Sequence, residues 1–162
     1  MFEGGRPTGT KAQIYRELEQ MAQGLFDSER DAVANAANLA SLLWLGLADL
    51  NWAGFYFLRG TDLVLGPFQG KPACVRIELG KGVCGCAAQR KQTIIVPDVE
   101  AFAGHIACDA DSRSELVVPL LKGSRLIGVL DLDSPLCGRF DDADAEGVRS
   151  LAALWVTASD LV

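Results

Sequence analysis

Apolar residues recur every three or four positions from residue 11 to residue 26. Ile14, Leu18, Met21 and Leu25 fall on one face, and Thr10 with Gln13 forms a capping box ahead of them, which predicts a helix over 11–26. A second helical stripe is Val33, Ala36, Ala37, Ala40, Leu43, Trp44 and Leu47; it predicts a helix over 29–46 capped by Ser28. A third helix is predicted from residue 142 onward, capped by Asp141, with Val148, Leu151, Trp155 and Ala158 facing inward. Between these the period shortens to that of strands, at 52–58, 63–68, 93–96, 115–121 and 125–132. Residues 82–90 suit a short helix. Lys122-Gly123-Ser124 reads as the turn of a hairpin. Two helices, then mostly strands, then a helix make an α+β pattern, with helices segregated to one face of an antiparallel sheet.

Strand alternation then sorts the side chains. Leu126, Gly128, Leu130 and Leu132 form one face of the last strand, and Ile127, Val129, Asp131 and Asp133 the other. One Asp at a strand end is ordinary. Two on one face after an apolar run suggest half of a covered pocket. Glu115 begins the partner strand, and its face depends on the turn. A three-residue loop pairs Leu121 with Arg125 and sets Glu115 opposite Asp131, whereas a two-residue loop sends Glu115 to the other face. Three converging acids repel one another, so a cation or a proton belongs among them. On the first strand Trp52 and Tyr56 share a face, either as core aromatics or as a wall for a small apolar group, with Gly54 leaving room.

Composition narrows the function classes. The chain has 162 residues, one domain's worth, and a formal net charge of −6, which disfavours nucleic-acid and anionic-membrane partners. No stretch reads as a signal peptide or a transmembrane segment, so the expectation is a cytoplasmic protein. Five cysteines are too few for a disulfide scaffold and fit redox, metal or core roles in a reducing compartment. Cys74, Cys84, Cys86 and Cys108 cluster in sequence, and Cys137 lies apart. The sole histidine, His105, is three residues before Cys108 in a polar, loop-like stretch, where the imidazole or Arg113 favours a thiolate. A zinc set of Cys84, Cys86, His105 and Cys108 has atypical spacing, and no metal is expected.

Residues 80–135, GKGVCGCAAQRKQTIIVPDVEAFAGHIACDADSRSELVVPLLKGSRLIGVLDLDSP, with NWAGFYF at 51–57, resemble the free methionine-(R)-sulfoxide reductases, small stand-alone GAF-domain enzymes. The resemblance implies a single GAF-like domain over 1–162, residues 1–9 loosely ordered. Its antiparallel sheet carries helices on one face and a ligand cavity on the other. It implies that Cys108 of HIAC is the reacting thiolate, Cys74 the resolving cysteine and Cys84 an auxiliary thiol. Trp52, Tyr56, Glu115, Asp131 and Asp133 then form the substrate pocket, with Glu115 or Asp133 protonating the sulfoxide and Asp131 helping to hold the ammonium. The partners implied are free methionine-(R)-sulfoxide and thioredoxin as reductant, with no cofactor and a possible homodimer. Cys86 and Cys137 have no family role and read as small buried residues. The alternatives are a GAF module that senses a small molecule and a redox switch without reductase activity.

Overall fold

The computed structural model describes residues 5–104 and 109–161. His105 and Cys108 therefore lie outside the described residues, as do residues 1–4 of the segment expected to be loosely ordered. Among the described residues the chain forms four α-helices, α1 (Lys11–Phe26), α2 (Ala32–Gly46), α3 (Gly82–Arg90) and α4 (Asp142–Ala158). Six strands accompany them: β1 (Trp52–Arg59), β2 (Asp62–Gly70), β3 (Arg76–Glu78), β4 (Ile94–Val96), β5 (Ser114–Lys122) and β6 (Arg125–Ser134). They make one antiparallel sheet in the order β3-β2-β1-β6-β5-β4.

Helix starts follow local chemistry. The capping box at α1 is present, the Gln13 amide N donating to Thr10 Oγ1 at 3.3 Å and the Thr10 amide N to Gln13 Oε1 at 2.9 Å. Its buried face is Tyr15, Leu18, Ala22 and Phe26, while Ile14, Met21 and Leu25 pack partly buried beside it. The second helix starts three residues later than expected, and Ser28 does not cap it. Glu29 instead accepts from the amides of Arg30 and Asp31, and the Asp31 carboxylate caps the helix by accepting from Ala34 N at 2.8 Å. Its inward face also differs: Val33 is exposed and Ala37 faces solvent, while Leu39 and Leu42 are buried. A segment apolar on nearly every side carries little phase information, so packing chooses the face. The box at α4 joins Asp141 and Asp144. Fully buried Asp144 also accepts from Tyr15 Oη at 2.9 Å, Arg139 at 3.2 Å and Lys11 Nζ at 2.5 Å, so the start of α4 is tied to α1. A buried carboxylate is tolerated when it is paired on several sides in this way.

Three helices, α1, α2 and α4, cover one sheet face through Ala53, Phe55, Leu116, Val118, Leu120, Leu130 and Leu132. The shorter α3 covers the other face, through Val83, Cys84, Ala87 and Ala88 against Tyr56, Val117 and Val129. The expected segregation thus holds for the long helices, and the short one roofs the second face. No helix among the described residues is long and apolar enough to cross a membrane.

The β5–β6 hairpin decides the geometry of that second face. Its loop has two residues, Gly123 and Ser124, since Lys122 pairs with Arg125. By parity alone this sends Glu115 away from the acids of β6. A bulge corrects it: Leu121 pairs with Leu126 but Leu120 with Gly128, so Ile127 is the extra residue and the register beyond it shifts by one. Glu115 then faces Asp133, and Val117 faces Asp131. The bulge also reverses the start of β6, putting Ile127 against the helices and Leu126 on the cavity side, opposite to simple alternation. Gly128 follows the bulge because β1 runs so close that a Cβ there would lie 2.0 Å from the Tyr56 carbonyl oxygen. Gly128→Ala should therefore lower the urea midpoint by the equivalent of about 1–3 kcal/mol, the usual cost of overpacking against immovable backbone.

Candidate active site

A pocket opens on the α3 side of the sheet, and each part of its lining follows from the pairing just described. Strand β1 supplies Trp52 and Tyr56, stacked with ring centroids 5.8 Å apart. Phe68 backs Trp52 at 5.3 Å. The space over Gly54 is not ligand space, because a Cβ there would meet Phe68 Cβ at 2.3 Å and Trp52 Cη2 at 2.7 Å. Glycine there lets the indole lie flat on the strand. Both aromatics reach the chain after β2: Trp52 Nε1 donates to the Lys71 carbonyl at 3.2 Å and Tyr56 Oη to the Cys74 carbonyl at 3.0 Å. They are half wall and half strut, each ring apolar with one polar end tied down.

Register places the acids opposite that wall. Asp133 pairs with Trp52 across β1–β6, Asp131 with Gly54, and Glu115 with Asp133 across β5–β6. From above, α3 lowers Cys84 to 3.9 Å from Glu115 Oε1. Glu115 and Asp131 are each 6% exposed and Cys84 4%. The electrostatics follow from crowding. Burial, then the Glu115 charge, pushes the Asp131 carboxyl well above its usual range. Asp133 moves the same way through loss of solvent and then repulsion from Asp131, with the Ser112 hydroxyl opposing. The Cys84 thiol is pushed up by burial and by Asp131 and Glu115, and the Tyr56 phenol mainly by burial. Burial and mutual repulsion therefore both favour the neutral forms of Asp131, Asp133 and Cys84, and a cation entering the pocket would act the other way.

The rim includes residues that strand alternation gave no reason to choose. Asp109 and Ser112 line the pocket, and Asn51 fixes both, donating at 3.1 Å and 2.9 Å respectively. Lys71 pairs with Asp109 at 3.2 Å and with Asp111, tying the segment that leads to Cys74 to the segment after residue 108. The amide of Asp111 and the Lys71 ammonium hold the Asp109 carboxyl below its usual range. The signal present in sequence was only a loop rich in Asp and Ser. Lys81 and the first residues of α3 complete the lining, and no described side chain caps that helix N-terminus.

Of the cysteines, Cys74 is disulfide-bonded, and Cys84, Cys86 and Cys137 are free thiols. The reading of Cys86 and Cys137 as small buried residues does not hold. Cys86 is half-buried and donates to the Gly80 carbonyl at 3.4 Å, and Cys137 is exposed. Arg113 turns to Glu100 and Asp98, at 3.6 Å and 3.9 Å. The zinc set with Cys84, Cys86, His105 and Cys108 includes two residues outside those described.

Residues 14–158 match the GAF domain family. The free methionine-R-sulfoxide reductase of Escherichia coli (strain K12) is 51% identical over 143 residues, covering 88% of this chain and 87% of that protein. The chain belongs to the free methionine-R-sulfoxide reductase family. It is an oxidoreductase by family, built on a GAF domain. The Saccharomyces cerevisiae free methionine-R-sulfoxide reductase is 44% identical, with 89% of this chain and 84% of that protein covered. A solved free methionine-R-sulfoxide reductase from Neisseria meningitidis, in complex with its substrate, superposes with a TM-score of 0.93 at 42% identity, covering 98% of this chain and 95% of that one.

The raised carboxyls give the reductase fold a defined pH response. A group whose pKa is higher folded than unfolded contributes most below the unfolded value, here 3.8, and that contribution is lost as pH rises through the folded value. Asp131→Asn should therefore melt higher than the parent at pH 7, with the gap closing toward pH 4. A chain this size shifts about 2–4 °C for each kcal/mol relieved. Calorimetry across that range checks it, and an unchanged gap from pH 4 to pH 7 would show that Asp131 is not strained by ionisation.

Proposed function

We propose that the protein reduces free methionine-(R)-sulfoxide to methionine in this pocket. The observation that carries the reading is one cavity pairing an aromatic wall, Trp52 and Tyr56, with three acids, Glu115, Asp131 and Asp133, beside the disulfide-bonded Cys74. Family membership supports the same substrate. The acids suit an ammonium, since a cation relieves their mutual repulsion without protonating them. Lys81 and the uncapped N-terminus of α3 suit the carboxylate that shares the α-carbon with that ammonium. The indole of Trp52 suits the methyl group bound to sulfur.

The chemistry proposed is thiol-based. The Cys108 thiolate attacks the sulfoxide sulfur while the oxygen takes a proton, methionine leaves, and Cys108 becomes a sulfenic acid. The thiol of Cys74 condenses with it, forming a disulfide and releasing water, and a thioredoxin-type dithiol restores both thiols. The proton donor is Glu115 or Asp133, and the raised pKa of Asp133 suits a group that must stay protonated near neutrality. Asp131, opposite Gly54 and deeper in the pocket, is assigned to the ammonium. Cys84, 3.9 Å from Glu115, stands by as a second thiol. A peptide-bound sulfoxide lacks the ammonium that offsets the acids, so selectivity for the free amino acid comes from the same repulsion.

The decisive measurement offers free methionine-(R)-sulfoxide, its S epimer and a peptide form, with thioredoxin and its reductase recycling the enzyme. Only the free R epimer should turn over; comparable turnover of the peptide form would overturn the assignment to the free amino acid, and no turnover of any form would favour a sensing or switch module. Cys108→Ser should abolish turnover. Cys74→Ser should release about one equivalent of methionine and then stall with thioredoxin, whereas normal recycling would make Cys84 the resolving thiol.

A further inference from the structure

The pocket floor has a second capacity. Cys84 Sγ, a carboxylate oxygen of Glu115 and one of Asp131 all lie within 4.8 Å of one another, and all three residues are buried. The Cys84–Glu115 separation is 3.9 Å. A tetrahedral zinc ion bound by a thiolate at about 2.3 Å and a carboxylate at about 2.1 Å sets those two donors about 3.6 Å apart. Small side-chain adjustments bring the three to ligating distance. Their backbones need not move, because α3, β5 and β6 each supply one donor from regular structure.

A separate observation points to an electrophile at this spot. Asp131 is 6% exposed, yet its Oδ1 has no hydrogen-bond partner among the described residues. A buried acceptor left bare costs free energy that a bound cation returns. The donor set chooses the cation. One sulfur with two carboxylates is too soft for magnesium or calcium, which take all-oxygen shells of six or more, and too oxygen-rich for copper(I). Zinc accepts both donor types and four-coordination.

We propose that Cys84, Glu115 and Asp131 form a binding site for one zinc-class divalent cation, with water as fourth ligand, and that the bound ion excludes the amino acid substrate. The Cys84 thiol proton, and any proton carried by the Glu115 or Asp131 carboxyl, passes to solvent on binding; no electrons move, and the ion offsets two of the three ligand charges. The second half of the proposal rests on the substrate pocket described above; the first half does not.

The test uses the full chain in its disulfide form, which leaves Cys74 unable to act as a thiolate ligand. Cadmium, a zinc surrogate, reports through its ultraviolet thiolate charge-transfer band. One equivalent should develop the band, and zinc should remove it by displacement. Cys84→Ser should abolish it, and Asp131→Asn, which keeps the thiol, should weaken binding about tenfold or more. The double variant Cys86→Ser, Cys137→Ser should leave it intact, and circular dichroism verifies that each variant is folded. A band that survives Cys84→Ser, disappears in the double variant or never forms overturns the site. Free methionine should displace cadmium from the parent protein. If the band depends on Cys84 and Asp131 but methionine leaves it unchanged, the cation site stands and the exclusion falls. Turnover of free sulfoxide by metal-free enzyme then tells whether the substrate pocket falls with it.

Discussion

Glu115, Asp131 and Asp133 share one pocket, and none ionises there without penalising its neighbours. This repulsion in a solvent-poor cleft is the constraint from which the chemistry of the site follows. It raises the pKa of Asp131 and Asp133, the direction required of the proton donor in the proposed reduction. It also makes a positive charge favourable there, which fits the ammonium of the proposed substrate and the cation proposed for the pocket floor. It lowers stability at neutral pH, and the rest of the fold has to offset that loss.

The opposite face of the sheet does so. There the three long helices close over Phe55, Leu116, Val118 and Leu130, with Trp155 fully buried among them. Asp144 adds a polar clamp between α4 and α1 in which both carboxylate oxygens are satisfied. The two carboxylate environments differ by what surrounds them. Asp144 meets Lys11, Arg139 and a phenol, whereas Asp131 meets Glu115 and a thiol. One has both oxygens paired within the fold, and the other leaves Oδ1 without a hydrogen-bond partner among the described residues.

The rim is built more lightly. Lys71 is mostly exposed, and its pair with exposed Asp111 belongs to the class of surface ion pairs worth little to overall stability, while the Asp109 side chain that it also meets is largely covered. Those pairs nevertheless join the two segments that flank the pocket mouth. Weak closure there is compatible with a site that admits a small molecule, whereas the aromatic struts on β1 are pinned to backbone carbonyls and keep the wall in place.

Much of this was legible in the residues themselves. The Thr10–Gln13 box and the Asp141 cap mark helix starts through chemistry local to four residues. The alternation of leucines with Val129, Asp131 and Asp133 marks two faces through geometry local to one strand. The family motifs pointed to the aromatic wall and the acids. What local chemistry leaves open is whatever depends on a partner strand. The two-residue turn alone would have turned Glu115 away from Asp131 and Asp133, and it is the bulge at Ile127, beside the close approach of Gly128 to the Tyr56 carbonyl, that brings it back. A side chain's face is fixed by its own strand only relative to its neighbours; which face meets the pocket is decided by pairing, and pairing exists only once the sheet has formed.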